Sequence, residues 1–198
     1  MNLMRYIVGL GNPGREYEKT RHNTGRILAA LFAEHLKLND FEYDEKLNAR
    51  KTEGKIGREK FAIILPDTFM NKSGNSLKSL INSKAKAGNL IVIHDDLDLP
   101  FGKIKISFGR NSGGHRGVES IMRAIKTKNF LRLRIGISPT APSGKLKKPK
   151  GEQKIEKLIL GDFTPEEKKK INALAEKISQ ALATTIQKNY QTASSQLN

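Results

Sequence analysis

Two histidine-bearing segments and two glycine loops hold most of the chemistry this chain could perform. His22 lies in the polar run Thr20-Arg21-His22-Asn23, where an imidazole can take up a proton near neutral pH. Far along the chain, His94-Asp95-Asp96-Leu97-Asp98 follows the apolar run Leu90 to Ile93. Carboxylates clustered at a strand end can hold a divalent cation. Alternatively, one of them can orient a distant histidine and balance the imidazolium formed during proton abstraction. The calcium-loop pattern fails, because Pro100 stands where a third ligand after Asp96 and Asp98 is required. His35 falls inside a helical pattern and reads as a surface residue.

Gly9-Leu10-Gly11-Asn12-Pro13-Gly14 has the G-x-G-x-x-G spacing directly after an apolar run. A dinucleotide site also needs a helix opening at once and an acidic residue ending the next strand, and neither follows. The segment therefore reads as a glycine turn at the carboxyl end of a strand, which is where open α/β sheets bind ligands. Gly109 to Gly117 is a second glycine-rich loop, opening a helix whose N-terminus favours an anion. The G-x-S-x-G elbow of serine hydrolases is missing, and cysteine is absent, so a thiol nucleophile, a Cys zinc site and a disulfide framework are excluded. Tyr17 and Phe69 lie in loops beside these motifs, where an aromatic ring can stack on a base or close a core edge.

The elements that must position these residues follow from apolar periodicity. Arg5 to Leu10, Ala49 to Lys55, Lys60 to Leu65, Leu90 to Ile93, the alternating run Lys103 to Phe108, and Leu131 to Ile137 read as strands. Helical spacing recurs at Ile27 to Leu36, briefly at Leu77 to Ile81, at Val118 to Ile125, and at Ile171, Leu174, Ile178, Leu182 and Ile186. Thr164-Pro165-Glu166-Glu167 is a capping box with proline at the first helical position. Residues 138–154 carry three prolines and five lysines and read as a mobile basic loop, and the segment from Thr192 onward reads as frayed. Interleaved strands and helices predict an α/β class, with residues 1–198 as a single domain: a mixed twisted sheet flanked by helices.

The 198 residues include 36 Lys and Arg against 20 Asp and Glu, a net charge of +16 that favours a polyanionic partner, nucleic acid before membrane. No apolar run approaches the roughly 20 residues of a membrane span, and no signal peptide is evident, so a cytoplasmic protein is expected.

Taken together, the motifs closely resemble the bacterial-type peptidyl-tRNA hydrolase family. The matching stretches are Ile7 to Gly14 with Tyr17, Thr20 to Asn23, Pro66 with Thr68 to Gly74, His94 to Pro100, Gly113-Gly114-His115, and Arg132 to Ile137. They keep the family's order over residues 3–190. The resemblance implies a monomer that hydrolyses the ester between a peptide and the terminal ribose of tRNA, with no metal and no cofactor. It implies His22 as general base on water and Asp95 as the group that holds and balances it. Asn12 would read the peptide, Asn71 would bind near the ester, and Tyr17 and Phe69 would line the site for the tRNA end. Amide side chains suit such recognition because each offers a donor and an acceptor. Two positions depart from the family pattern: Arg116 stands where asparagine is usual, and Ser107 where a basic residue is usual. Arg116 with Lys103, Lys105 and Arg134 is the set expected to grip the acceptor-stem backbone. The alternative is an RNA-binding protein of the same fold without catalysis.

Overall fold

The structure, a computed structural model, describes residues 4–197. Among these residues, seven strands form one mixed sheet. They are β1 (Arg5–Gly9), β2 (Glu42–Asp44), β3 (Ala49–Ile56), β4 (Glu59–Pro66), β5 (Leu90–Pro100), β6 (Ile104–Phe108) and β7 (Leu131–Ser138), in the order β2-β3-β4-β1-β5-β7-β6. β1 runs parallel to both β4 and β5, and β5 parallel to β7. This parallel centre is covered on both faces, which is why its strands are apolar almost throughout. β2, β3 and β6 are added antiparallel at the edges.

On one face, Ile7, Ile63, Ile91, Ile93 and Leu133 meet Leu28 and Phe32 of α1 (Thr24–His35), and Ile178 and Leu182 of α5 (Pro165–Gln187). On the other, Val8, Ile64 and Val92 meet Val118 and Ile121 of α3 (Arg116–Ile125) and Met70 and Leu77 of a 3-10 helix (Met70–Leu77). The capping box starts α5 as expected, with Thr164 Oγ1 accepting from the Glu167 N–H at 3.2 Å and the Glu167 carboxylate accepting from the Thr164 N–H at 2.8 Å.

The seating of α1 decides where His22 lies. A Cβ on Gly25 would sit 2.1 Å from the Ile93 carbonyl oxygen and 2.7 Å from the Leu10 nitrogen. Hydrogen alone at this position lets the first turn of α1 rest on the carboxyl ends of β1 and β5, where the Arg26 N–H donates to the Leu10 carbonyl at 2.9 Å. No helix opens directly after Gly14. The chain makes two 3-10 turns, Arg15–Tyr17 and Arg21–Asn23, before α1 begins, so the glycine pattern lacks the helix terminus a dinucleotide site requires.

Four expectations are corrected. The short helix placed at 77–81 is instead the 3-10 helix Met70–Leu77 followed by α2 (Lys84–Gly88). Tertiary contact overrides periodicity there: a Cβ on Gly74 would lie 2.2 Å from the Ser120 carbonyl, and the Gly74 N–H donates to Ser120 Oγ at 3.0 Å, drawing this segment against α3. β5 continues past Ile93 to Pro100. The loop expected at 138–154 is shorter, because Ser138 ends β7 and Glu152 opens α4 (Glu152–Ile159), with a bridge between Thr140 and Leu146 inside it. Finally, the segment expected to fray forms α6 (Tyr190–Leu197), which packs Tyr190 and Leu197 against the α1–α5 core.

Gly25→Ala is expected to destabilise the fold by about 1–3 kcal/mol in denaturant titration, as overpacked cores do. The contact is with backbone, which has no rotamer to yield.

Candidate active site

A cavity of about 510 Å³ opens at the carboxyl ends of the central strands, lined by Asn12, Tyr17, His22, Phe69, Asn71, Asp95 and His115, among others. The Asp95 carboxylate lies at its floor. Along β5, Ile91, Ile93 and Asp95 alternate onto the α1 face, so the strand that supplies core isoleucines also delivers this carboxylate beside His22.

Asp95 accepts from two imidazoles. His22 Nδ1 lies 3.0 Å from each carboxylate oxygen, and His115 Nε2 lies 2.9 Å from Oδ1. The tautomer of His115 follows from its other nitrogen. Nδ1 accepts from the Gly117 and Val118 N–H groups at 3.2 and 3.3 Å, capping the start of α3, so Nε2 carries the hydrogen and donates to Asp95. His22 presents its Nδ1–H to the same carboxylate, which leaves the Nε2 lone pair for the cavity. Burial alone would raise the Asp95 carboxyl. Electrostatic attraction to the imidazole N–H groups of His22 and His115, and the hydrogen bonds they donate, outweigh it and hold the group well below the usual carboxylate range. His94, buried beneath His115, is pushed down chiefly by its burial and further by His115, so it stays a neutral ring whose Nδ1–H donates to the Asp95 carbonyl at 2.7 Å.

His22, Asp95 and His115 bring their ligand atoms within 4.8 Å of one another, a spacing that a metal ion would accept. The hydrogen bonds argue against that use. A metal on His115 Nε2 would put the ring proton on Nδ1, against the two N–H groups it now accepts, and a metal on His22 Nδ1 would take the Nε2 lone pair out of play. These residues do not fit a metal centre.

Asn12 is held on two sides. Its N–H donates to Asn23 Oδ1 at 2.8 Å, and its carbonyl accepts from Asn23 Nδ2 at 2.9 Å. Its side-chain Oδ1 accepts from the Met70 N–H at 2.8 Å, which leaves Nδ2 as the group available to a ligand. The expectation that both halves of this amide face the substrate is therefore revised to a donor. Tyr17 and Phe69 meet edge to face, with ring centroids 6.4 Å apart, and Phe69 is 56% exposed.

The basic set is more dispersed. Arg116 lines the cavity but pairs with Glu152 of α4 at 2.6 Å, both groups being exposed. Arg134 donates its Nε–H to Asp96 at 2.6 Å and lies opposite Lys105 in the β6–β7 ladder. Lys103 and Lys105 are exposed and outside the cavity lining. Sequence reasoning assigned no role to His115. Its place between a glycine pair and a helix start was the available signal, since that is where a capping side chain belongs.

The chain matches the family profile for peptidyl-tRNA hydrolase over residues 6–198. The chain belongs to the peptidyl-tRNA hydrolase family. The peptidyl-tRNA hydrolase of Thermodesulfovibrio yellowstonii is 41% identical over 186 residues, covering 92% of this chain and 91% of that protein. That of Aquifex aeolicus is 38% identical over 185 residues, covering 93% and 91%. The crystal structure of the peptidyl-tRNA hydrolase of Acinetobacter baumannii superposes with a TM-score of 0.86 at 30% identity, covering all of this chain and 96% of that one. These relatives bear the name of a hydrolase, so the purely RNA-binding alternative has no support among them.

The depressed Asp95 carboxyl gives a sign for acid stability. Its contribution is complete above about pH 4, the ordinary carboxylate value, and is lost as pH falls through the lower folded-state value. Between pH 5 and pH 2 the unfolding free energy of the native protein should therefore fall more steeply than that of Asp95→Asn, read by denaturant titration at each pH.

Proposed function

We propose that this chain hydrolyses the ester linking a peptide to the 3′-terminal ribose of tRNA. The observation that carries the reading is the His22–Asp95 pair, with an imidazole Nε2 open to a cavity that also holds two amide side chains. An ester is already activated, so a general base and a polarising donor suffice, without a covalent nucleophile. His22 Nε2 takes a proton from water as the water oxygen attacks the ester carbonyl. Asp95 keeps the ring in the required tautomer and balances the imidazolium. The tetrahedral intermediate collapses by breaking the bond to the ribose oxygen, which takes the proton from His22, and free peptide and tRNA leave.

Asn12 Nδ2, as a donor, suits the carbonyl of a preceding peptide bond. A free aminoacyl group offers an ammonium at that place, donor against donor, which supports discrimination in favour of blocked substrates. Asn71 contributes contacts near the ester, and the exposed Phe69 with Tyr17 offers a stacking surface for the terminal base. Arg116, Lys103, Lys105 and Arg134 provide the positive charge for the acceptor stem. For Arg116 this requires an exchange of partners, from Glu152 to a phosphate, and exposed ion pairs of that kind are worth only about 0–1 kcal/mol. A monomer is proposed with this reading, and no described helix is long and apolar enough to cross a membrane. A cytoplasmic site of action is proposed with the substrate, since that is where charged tRNA is used.

The deciding experiment is release of free tRNA from N-acetyl-aminoacyl-tRNA in buffer containing EDTA. His22→Ala is expected to lower turnover by about 10²–10⁴-fold while tRNA binding survives. Near-normal turnover in that variant sinks the assignment. Arg116→Ala is expected to make the salt dependence of tRNA affinity shallower by about 0.7–0.9 in log–log slope, one phosphate contact. An unchanged slope leaves Arg116 without a phosphate role.

A further inference from the structure

His22 sits in the middle of a 3-10 turn, and each of its neighbours in that turn is fastened to a different part of the fold. On one side, Asn23 grips the Asn12 backbone at both its N–H and its carbonyl, at 2.8 and 2.9 Å. On the other, Arg21 lies outside the cavity lining and reaches to the corner between α4 and α5. Its backbone N–H and its Nη1 each donate to the Gly161 carbonyl at 3.1 Å, and its Nη2 donates to the Glu167 carboxylate at 2.6 Å. The guanidinium carbon lies 5.5 Å from the centre of the Phe163 ring. The same corner takes up the residues before the turn: Thr20 forms a bridge with Asp162, and the Phe163 N–H donates to the Lys19 carbonyl at 3.0 Å.

The Arg21 side chain is 13% exposed, so its charge is largely withdrawn from water, and its Nε–H is buried without a partner among the described residues. Apolar side chains packed at such a place hold a fold together as well as a buried ion pair does, or better. What the guanidinium supplies and an apolar side chain lacks is direction. Its bonds to Gly161 and Glu167 fix the backbone of the turn relative to the start of α5, where the Thr164 N–H holds the same carboxylate in place. Asp95 holds the His22 imidazole at Nδ1 and so sets its tautomer and tilt. How far the ring stands into the cavity is set by the backbone that carries it. A misplacement of about 1 Å at the reacting atoms is worth about 10²-fold in rate.

We propose that Arg21 is a positioning residue for the hydrolysis: clamped on Gly161, Phe163 and Glu167, it sets the reach of His22 Nε2 toward the attacking water without touching the substrate. The inference rests on the hydrolase reading and deepens it.

Single-turnover cleavage of N-acetyl-aminoacyl-tRNA at rising enzyme concentration separates the rate of the chemical step from substrate affinity. Per folded molecule, measured by circular dichroism at the assay temperature, Arg21→Ala is expected to lower the saturating rate by about 10–100-fold and to leave the half-saturating concentration within about twofold. Arg21→Lys keeps the cation and a bond to Glu167 but loses the second arm of the fork. It should show the same split with a smaller loss, and it carries the test if the alanine variant does not fold. Glu167→Gln keeps an acceptor for the Thr164 cap and weakens the clamp. It should slow the saturating rate alone, and should add little to Arg21→Ala in the double variant, since the two side chains act as one unit. A native saturating rate per folded molecule, with thermal stability alone reduced, makes Arg21 structural and overturns the proposal. Weaker affinity for tRNA with an unchanged saturating rate makes it an RNA contact and overturns it too. Fully additive losses in the double variant overturn the clamp. Absence of cleavage by the native protein is a separate result: it overturns the hydrolase reading itself, and the role of Arg21 with it.

Discussion

The Asp95 carboxylate is buried at the end of β5 and bonded to two imidazoles, and the rest of the site is arranged around that requirement. A buried carboxylate is costly unless paired and hydrogen-bonded, and removing one partner of such a group is among the more damaging changes a fold can suffer. Each donor comes from a different layer. His22 precedes α1 on one face of the sheet, and His115 caps α3 on the other. The two helical layers must therefore both approach the same strand end. Gly25 permits one approach and Gly74, against α3, helps to set the other. Fold and catalytic pair answer to one constraint.

The chain is strongly basic, yet several cations at or near the cavity are matched by carboxylates: Arg134 by Asp96, Lys148 by Asp98, and Arg116 by Glu152, whereas Lys72, also in the lining, has no carboxylate partner among the described residues. A polyanion arriving here meets bare charge at Lys72 but must exchange with carboxylates at the other three. The exchange is easy where both partners are exposed, as at Arg116 and Lys148, and harder at Arg134, whose pair with Asp96 is mostly buried. The net charge of +16 accordingly describes long-range attraction better than it describes local grip.

Much of this was legible in the chain itself. Apolar runs such as Ile7-Val8 and Leu90 to Ile93 announce buried parallel strands, and Thr164 to Glu167 announces the start of α5, because in each case local chemistry and tertiary role agree. His22 and Asp95 were readable as a pair through the family resemblance, not through spacing, since residues so far apart are joined only by the sheet. The misreadings share a cause. Met70–Leu77 is drawn against α3 by a backbone approach that no periodicity records. α4 has no side-chain N-cap and buries no residue, so a lysine-rich segment gave no helical face to a core-seeking pattern. The capping role of His115 needs the positions of two backbone N–H groups, and the commitment of the Asn12 oxygen needs that of Met70.

Arg132 has a consequence for how the cavity moves. From β7 its guanidinium donates to the carbonyl oxygens of Asn111 and Ser112, at 2.8 and 3.5 Å, with the side chain almost wholly buried. The glycine loop above it is thus bolted to the sheet, although Gly109, Gly113 and Gly114 all adopt positive φ and would suggest a hinge. α4 is tied just beyond its end by Arg21, whose N–H and guanidinium donate to the Gly161 carbonyl, but its first turn is held to α3 by the solvent-exposed pair of Arg116 with Glu152, which dissolved salt weakens. The two sides of one cleft therefore differ in stiffness, and differ more as ionic strength rises. Opening of the entrance accordingly starts on the α4 side, while the Asn111 and Ser112 carbonyls stay held by Arg132 on the sheet.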